Sequence, residues 1–202
     1  MDYNDLLAQV VDTLGSQVTT AQAAALLPFV EARFNRTINS PKREVTVYAV
    51  PTSDVSLPTD CWQLRDVWLD GSPPVTLEQM APDEARRLYG LRSGNPVAYV
   101  MSGTTLDLFP TPAATATGTV FLRYQQTIPA LGDAQASNWL LAAHPDIYYY
   151  GLLLQCEAYI VNDERLGLWK SALDEALGEL DRLNAKQRYG ASPLYRKPYV
   201  AA

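Results

Sequence analysis

Apolar positions recur with a helical period at both ends of the chain and with a two-residue period between them. Tyr3, Leu6, Leu7, Val10, Val11 and Leu14 fall at i, i+3, i+4, i+7, i+8 and i+11, so residues 2–14 read as an amphipathic helix. Asp2 is placed to cap its start and Gly15 to end it. Thr19 or Thr20 then caps a second helix over about 20–38, with Leu26, Val30, Phe34 and Ile38 as its stripe and Leu27 beside it. Pro28 lies well inside that run and either kinks the helix or marks its true first turn. Pro41 ends the segment.

Between 43 and 126 the pattern changes to short strands and turns. Val45, Val47 and Ala49 alternate with Thr46, Tyr48 and Val50, and Val120, Leu122 and Tyr124 alternate with Phe121, Arg123 and Gln125. Leu64–Leu69 reads as a strand, Val75–Leu77 as a shorter one, and Val97–Met101 with Thr105–Phe109 as a hairpin across Ser102-Gly103. Asp54–Asp60 reads as a turn-rich link. Pro82–Leu88 reads as one or two turns of helix, with Asp83 and Glu84 at its N-terminus. Five or six antiparallel strands in a small sheet or barrel are expected.

Helical periodicity returns over 137–188. Trp139–Ala143 is a short lead-in, and His144-Pro145-Asp146 opens a helix that is apolar nearly all round. One face holds Ile147, Gly151, Leu154, Ala158 and Val161 and another Tyr148, Leu152 and Tyr159, so this helix is expected to be central. Asn162-Asp163 breaks or bends it. Leu166, Trp169, Leu173, Leu177, Leu180 and Leu183 stripe a last amphipathic helix, which Gly190 ends. Pro193 and Pro198 forbid helix beyond, so 190–202 reads as an extended arm with Leu194, Tyr195, Tyr199 and Val200 as apolar anchors.

The predicted fold class is therefore α+β. Two N-terminal helices (1–40) and two C-terminal helices (131–189) form a four-helix bundle, a small antiparallel β-rich domain (41–130) is inserted, and an arm (190–202) follows.

Charge sharpens this picture. The chain carries a net −6, which argues against non-specific coating of nucleic acid. Residues 182–202 hold five basic side chains and no acidic one, so the whole divides into a +5 tail and a −11 body. Such a tail reads as an interaction segment for nucleic acid or an acidic protein surface. The start of the chain lacks the basic and apolar regions of a signal peptide, and the apolar stretch around 147–161 is too short and polar to span a bilayer. Cys61 and Cys156, in no metal or redox spacing, read as two buried free thiols in a reducing cytoplasm.

Candidate chemistry is sparse. The one histidine, His144, precedes Pro145 at a helix start, where it reads as a cap or packing residue. No paired histidines, Cys-x-x-Cys, P-loop or dinucleotide-binding glycine pattern occurs, so no metal or cofactor is expected and the chain reads as no enzyme. Glu31 near Arg33 and Arg36 reads as an ion-pair network, within the bundle or between subunits, and Glu157 on an apolar helix needs a partner such as Arg33 or Arg36 if buried. Tyr148-Tyr149-Tyr150 point in three directions, so at least one is expected at a rim or subunit contact. Trp62 and Trp68 read as core residues, with a carbohydrate platform as the alternative.

Several blocks resemble one family. They are Leu27-Pro-Phe-Val-Glu-Ala-Arg-Phe-Asn-Arg36, Leu57-Pro-Thr-Asp60, Gly94-Asn-Pro-Val-Ala-Tyr99 with Leu106-Asp-Leu-Phe-Pro-Thr-Pro112, and Tyr124 leading to Ile128-Pro-Ala-Leu131. To these add Ser137-Asn-Trp-Leu-Leu141, His144-Pro-Asp-Ile-Tyr-Tyr-Tyr-Gly151, Glu157-Ala158 and Trp169. In this order they resemble the head-to-tail adaptor (connector) proteins of tailed bacteriophages.

The resemblance implies a ring, usually of twelve copies, beneath the portal at the capsid vertex. It implies a virion protein of the neck, assembled in the host cytoplasm, that extends the DNA channel and offers a platform for the next neck or tail protein. It also implies a C-terminal arm that reaches onto the portal, a role that falls here to Leu194, Tyr195, Arg196, Lys197 and Tyr199. An acidic body fits a channel wall through which DNA slides without specific binding. A stopper or tail-completion protein, or a carbohydrate-binding module, are the other readings.

Overall fold

A computed structural model describes residues 1–113, 118–160 and 164–189. Helices α1 (Tyr3–Leu14) and α2 (Thr20–Thr37) come first. They are followed by β1 (Glu44–Ala49), β2 (Asp54–Ser56), β3 (Cys61–Leu69), β4 (Val75–Thr76) and β5 (Glu78–Gln79). Next come α3 (Pro82–Tyr89), β6 (Ser93–Gly94), β7 (Ala98–Ser102), β8 (Thr105–Phe109), β9 (Thr111–Pro112) and β10 (Val120–Gln126). Helices α4 (Trp139–Ala143), α5 (Pro145–Gln155) and α6 (Leu166–Tyr189) complete the described elements. The fold is α+β, as the hydrophobic pattern predicts. The chain divides into two compact units, Met1–Lys42 with the residues from Ile128 onward, and Arg43–Thr127.

The first unit is helical. Asp2 and Asp5 satisfy each other's backbone N–H groups in a capping box at α1, and Thr19 and Gln22 do the same at α2. Gly15 closes α1 with φ +62°, a conformation that suits glycine. Helix α5 packs against α1, α2, α4 and α6, which is why its apolar residues run round the whole circumference. Ile147, Tyr148, Leu152 and Leu153 are fully buried there. Gly151 lets α2 approach closely, because a Cβ at that position would stand 2.7 Å from Phe34 Cζ.

Several details differ from the sequence reading. Pro28 lies inside a helix that already starts at Thr20, so it is not a first-turn residue. Its missing N–H leaves the Ala24 carbonyl without the usual helical donor. The buried stripe of α2 runs through Ala23, Leu27, Val30 and Phe34, with Leu26 only half-buried. On α6 the stripe leaves Leu183 exposed and buries Asn184, whose Oδ1 accepts the Ser40 hydroxyl at 2.9 Å. Helix α5 tightens into a 3₁₀ turn over Cys156–Tyr159, earlier than the pattern predicts. The bend expected at Asn162-Asp163 and the stop at Gly190 lie outside the described residues.

The second unit is built from two four-stranded sheets around one apolar core. The first has the order β1-β10-β3-β4 and is antiparallel throughout. The second has the order β2-β8-β7-β5, with β5 parallel to β7, and β6 pairs in parallel with β9. Val67, Val120 and Leu122 from the first sheet and Val55, Tyr99, Leu106 and Leu108 from the second share the core. The expected single sheet or barrel of five or six antiparallel strands is thus replaced by ten strands among the described residues, not all antiparallel. The expected link at Asp54–Asp60 contains β2, held because Val55 enters the core opposite Leu106.

Candidate assembly interface

In the helical unit the buried side chains of Glu31, Tyr148 and Asn138 form one polar network. Glu31 is buried on α2, and its Oε1 accepts the backbone N–H of Leu131 at 2.7 Å. The Tyr148 hydroxyl also donates to this carboxylate and accepts from Asn138 Nδ2 at 2.8 Å. Burial pushes the Glu31 carboxyl above its ordinary value, and the two hydrogen bonds pull partly against that. Burial also raises the Tyr148 hydroxyl well above its ordinary value, the nearby Glu31 carboxylate adding to it. Asn138 uses its remaining groups fully. Its Oδ1 accepts from Leu140 and Leu141 N–H as the cap of α4, and Nδ2 also donates to the Pro129 carbonyl at 2.7 Å. Asn138 was not singled out in the sequence reading, although an Asn immediately before an apolar helical run is a capping signal.

The structure separates the residues that the sequence grouped. Arg33 and Arg36 are exposed on α2, so Glu31 is satisfied by a backbone amide and a tyrosine rather than by those two guanidinium groups. Glu157 is exposed in the 3₁₀ turn and needs no buried partner. His144 holds the N-cap position of α5 by its backbone alone, without a side-chain cap bond. The tyrosines divide as their directions require. Tyr148 is buried edge-on to Phe34 at 5.2 Å, while Tyr149 and Tyr150 are half-buried, Tyr149 sharing a 2.6 Å hydrogen bond with Thr13 Oγ1. The arm residues Leu194, Tyr195, Arg196, Lys197 and Tyr199 lie outside the described residues.

What the two units present to solvent is more telling than their interiors. Across the first sheet Tyr48, Phe121 and Trp68 stand in register on three adjacent strands, the last two stacked 5.3 Å apart at 7°. Tyr48 is 78% exposed on β1, an edge strand of this sheet among the described residues. One step along, Arg123 pairs with Asp66. Trp62 stands at the rim of a cavity of about 570 Å³ with Cys61, Met101 and Pro58. On α2 the outward line Ala21, Ala25, Phe29 and Ala32 is apolar, and Phe29 is 61% exposed. On α6 Leu168 is 70% exposed. Apolar groups of this size on solvated faces fit protein–protein contacts. Among the described residues no cluster of His, Cys, Asp or Glu has the form of a metal site, and no helix is long and apolar enough to cross a membrane. Both cysteines are free thiols.

One protein family, described as SU10 adaptor protein, matches residues 1–197. No curated protein sequence matches the chain.

Proposed function

The chain belongs to the SU10 adaptor protein family, and from that premise we propose that it is the head-to-tail adaptor of a tailed bacteriophage, forming a ring under the portal. The observation that carries this reading is the extent of the match, which spans residues 1–197 and so includes both units. In this reading α1, α2, α5 and α6 act as one four-helix bundle, and the β-rich unit is its insertion. The ring has twelve copies, extends the DNA channel and gives the next neck or tail protein its platform. The protein resides in the neck of the virion after assembly in the host cytoplasm.

The exposed apolar side chains of Phe29, Tyr48 and Leu168 support an assembly role, because a subunit contact would cover them. The net charge supports passage of DNA: the −11 borne by residues 1–181 repels phosphates and lets the duplex slide. The +5 of residues 182–202 suits an acidic partner surface. Leu194, Tyr195 and Tyr199 serve as its anchors and Arg196 and Lys197 as its charges, and the prolines lower the cost of ordering the segment on binding.

The test is co-purification with the portal protein encoded by the same genome, using the full chain and a version ending at Tyr189. The full chain is expected to bind and the truncated one to lose binding while keeping its circular dichroism spectrum. Full binding by the truncated protein would sink the arm's role. Binding of the full chain to a tail component, and not to the portal, would replace the adaptor by another neck protein.

A further inference from the structure

We infer that the ring contact is made, at least in part, by the outer face of α2 on one copy against the outer face of α6 on the next; this rests on the ring reading above. Both faces belong to the helical unit, and their residues are exposed among the described residues. Residues Ala25, Phe29, Ala32 and Arg36 follow one another at i, i+4, i+7 and i+11 and so form one line along α2. The exposed charges of α2 are Arg33 and Arg36, since its one acid, Glu31, is buried. Leu168, Glu175 and Glu179 stand at i, i+7 and i+11 on α6, with Ser171 between the first two. Glu175 and Glu179 make this stretch acidic where the α2 face is basic; the same line turns basic at Arg182 and Lys186, beyond the end of α2 in this pairing.

The two lines match in spacing as well as in charge. Phe29 to Arg36 and Leu168 to Glu175 are both seven-residue steps, about 10.5 Å at the helical rise. Laid side by side in parallel, the helices bring Phe29 to Leu168 and Arg36 to Glu175. Between these pairs the small residues Ala32 and Ser171 allow close approach. Two different patches that fit each other make a head-to-tail contact, the kind that closes into a ring when the rotation is right. A polyanion is a poor occupant of these faces. It would meet Arg33 and Arg36 but leave Phe29 in water, and Glu175 and Glu179 would repel it.

The test is cross-linking of a Phe29→Cys/Leu168→Cys variant with a short bis-maleimide, on rings formed alone or on the portal. The double variant is expected to give a ladder of covalent multimers well beyond dimer. Phe29→Cys alone, Leu168→Cys alone and the parent chain with Cys61 and Cys156 are expected to stop at dimer. Rings visible by microscopy together with no ladder would overturn this contact and leave the ring reading intact. Absence of rings from the parent chain, with and without the portal, would overturn both.

Discussion

Gly151 on α5 lies so close to Phe34 on α2 that a Cβ there would stand 2.7 Å from Phe34 Cζ. The Phe34 ring cannot move aside cheaply, because it is fully buried and held edge-on by Tyr148 at 5.2 Å. Gly→Ala inside a helix normally gains about 1 kcal/mol. Here overpacking reverses the sign, and Gly151→Ala is expected to destabilise the protein by about 1–3 kcal/mol. Gly178, with open space around it on α6, supplies the contrast: Gly178→Ala is expected to stabilise by up to about 1 kcal/mol. Urea denaturation of the two variants reads both signs, and a Gly151→Ala protein as stable as the parent would contradict the packing.

Glu31 gives stability a dependence on pH. Its carboxyl is raised above the ordinary 4.5 by burial, so the folded state binds the proton more tightly than the unfolded one. This group's contribution is therefore most favourable at pH below 4.5 and is lost as pH rises through the raised value. Glu31→Gln removes the titration and keeps an oxygen for the Leu131 N–H. At neutral pH it is expected to be at least as stable as the parent, with its advantage shrinking in thermal melts as the solution is acidified. Glu31→Ala leaves that N–H unpaired and is expected to cost about 1–3 kcal/mol. A parent-to-Gln difference that does not change with pH would contradict the assignment.

Asn138 and Tyr148 are expected to behave as a coupled pair. Asn138→Ala removes the α4 cap and leaves the Tyr148 hydroxyl with one partner fewer, so a loss of about 2–4 kcal/mol is expected. Tyr148→Phe costs less, and the double variant should lose less than the two singles added together. Strict additivity in denaturant melts would show that the hydrogen bond between them contributes nothing.

Much of the helical unit was legible because local chemistry and tertiary need agree there. Asp2 and Thr19 cap where the sequence places caps, and the all-round apolar surface of α5 matches its four helical neighbours. The β-rich unit was less legible for a physical reason. A three-residue strand such as Asp54-Val55-Ser56 has no period to read, and a core contact with Leu106 creates it. Glu31 failed in the same way: its neighbours in sequence are arginines, yet its partner Leu131 is 100 positions away. Spacing along one helix cannot reveal that. The family resemblance, resting on blocks spread along the chain, carried across these gaps because it does not depend on any one element.

The two thiols should differ in reactivity. Burial pushes the Cys156 thiol up to about 11, so hardly any thiolate exists at neutral pH and its α5 neighbours exclude reagents. Cys61 is half-buried and raised to a lesser extent by burial and by Asp60. Mass spectrometry after treatment of the folded protein with a thiol reagent is expected to find Cys61 labelled first and Cys156 only after denaturant is added. Equal labelling rates would contradict the buried position of Cys156.

Electron microscopy of the purified protein mixed with the portal protein encoded by the same genome tests ring assembly most directly. A head-to-tail adaptor is expected to form closed rings of twelve copies that cap one end of the portal. Particles that remain monomeric and leave the portal bare would contradict it.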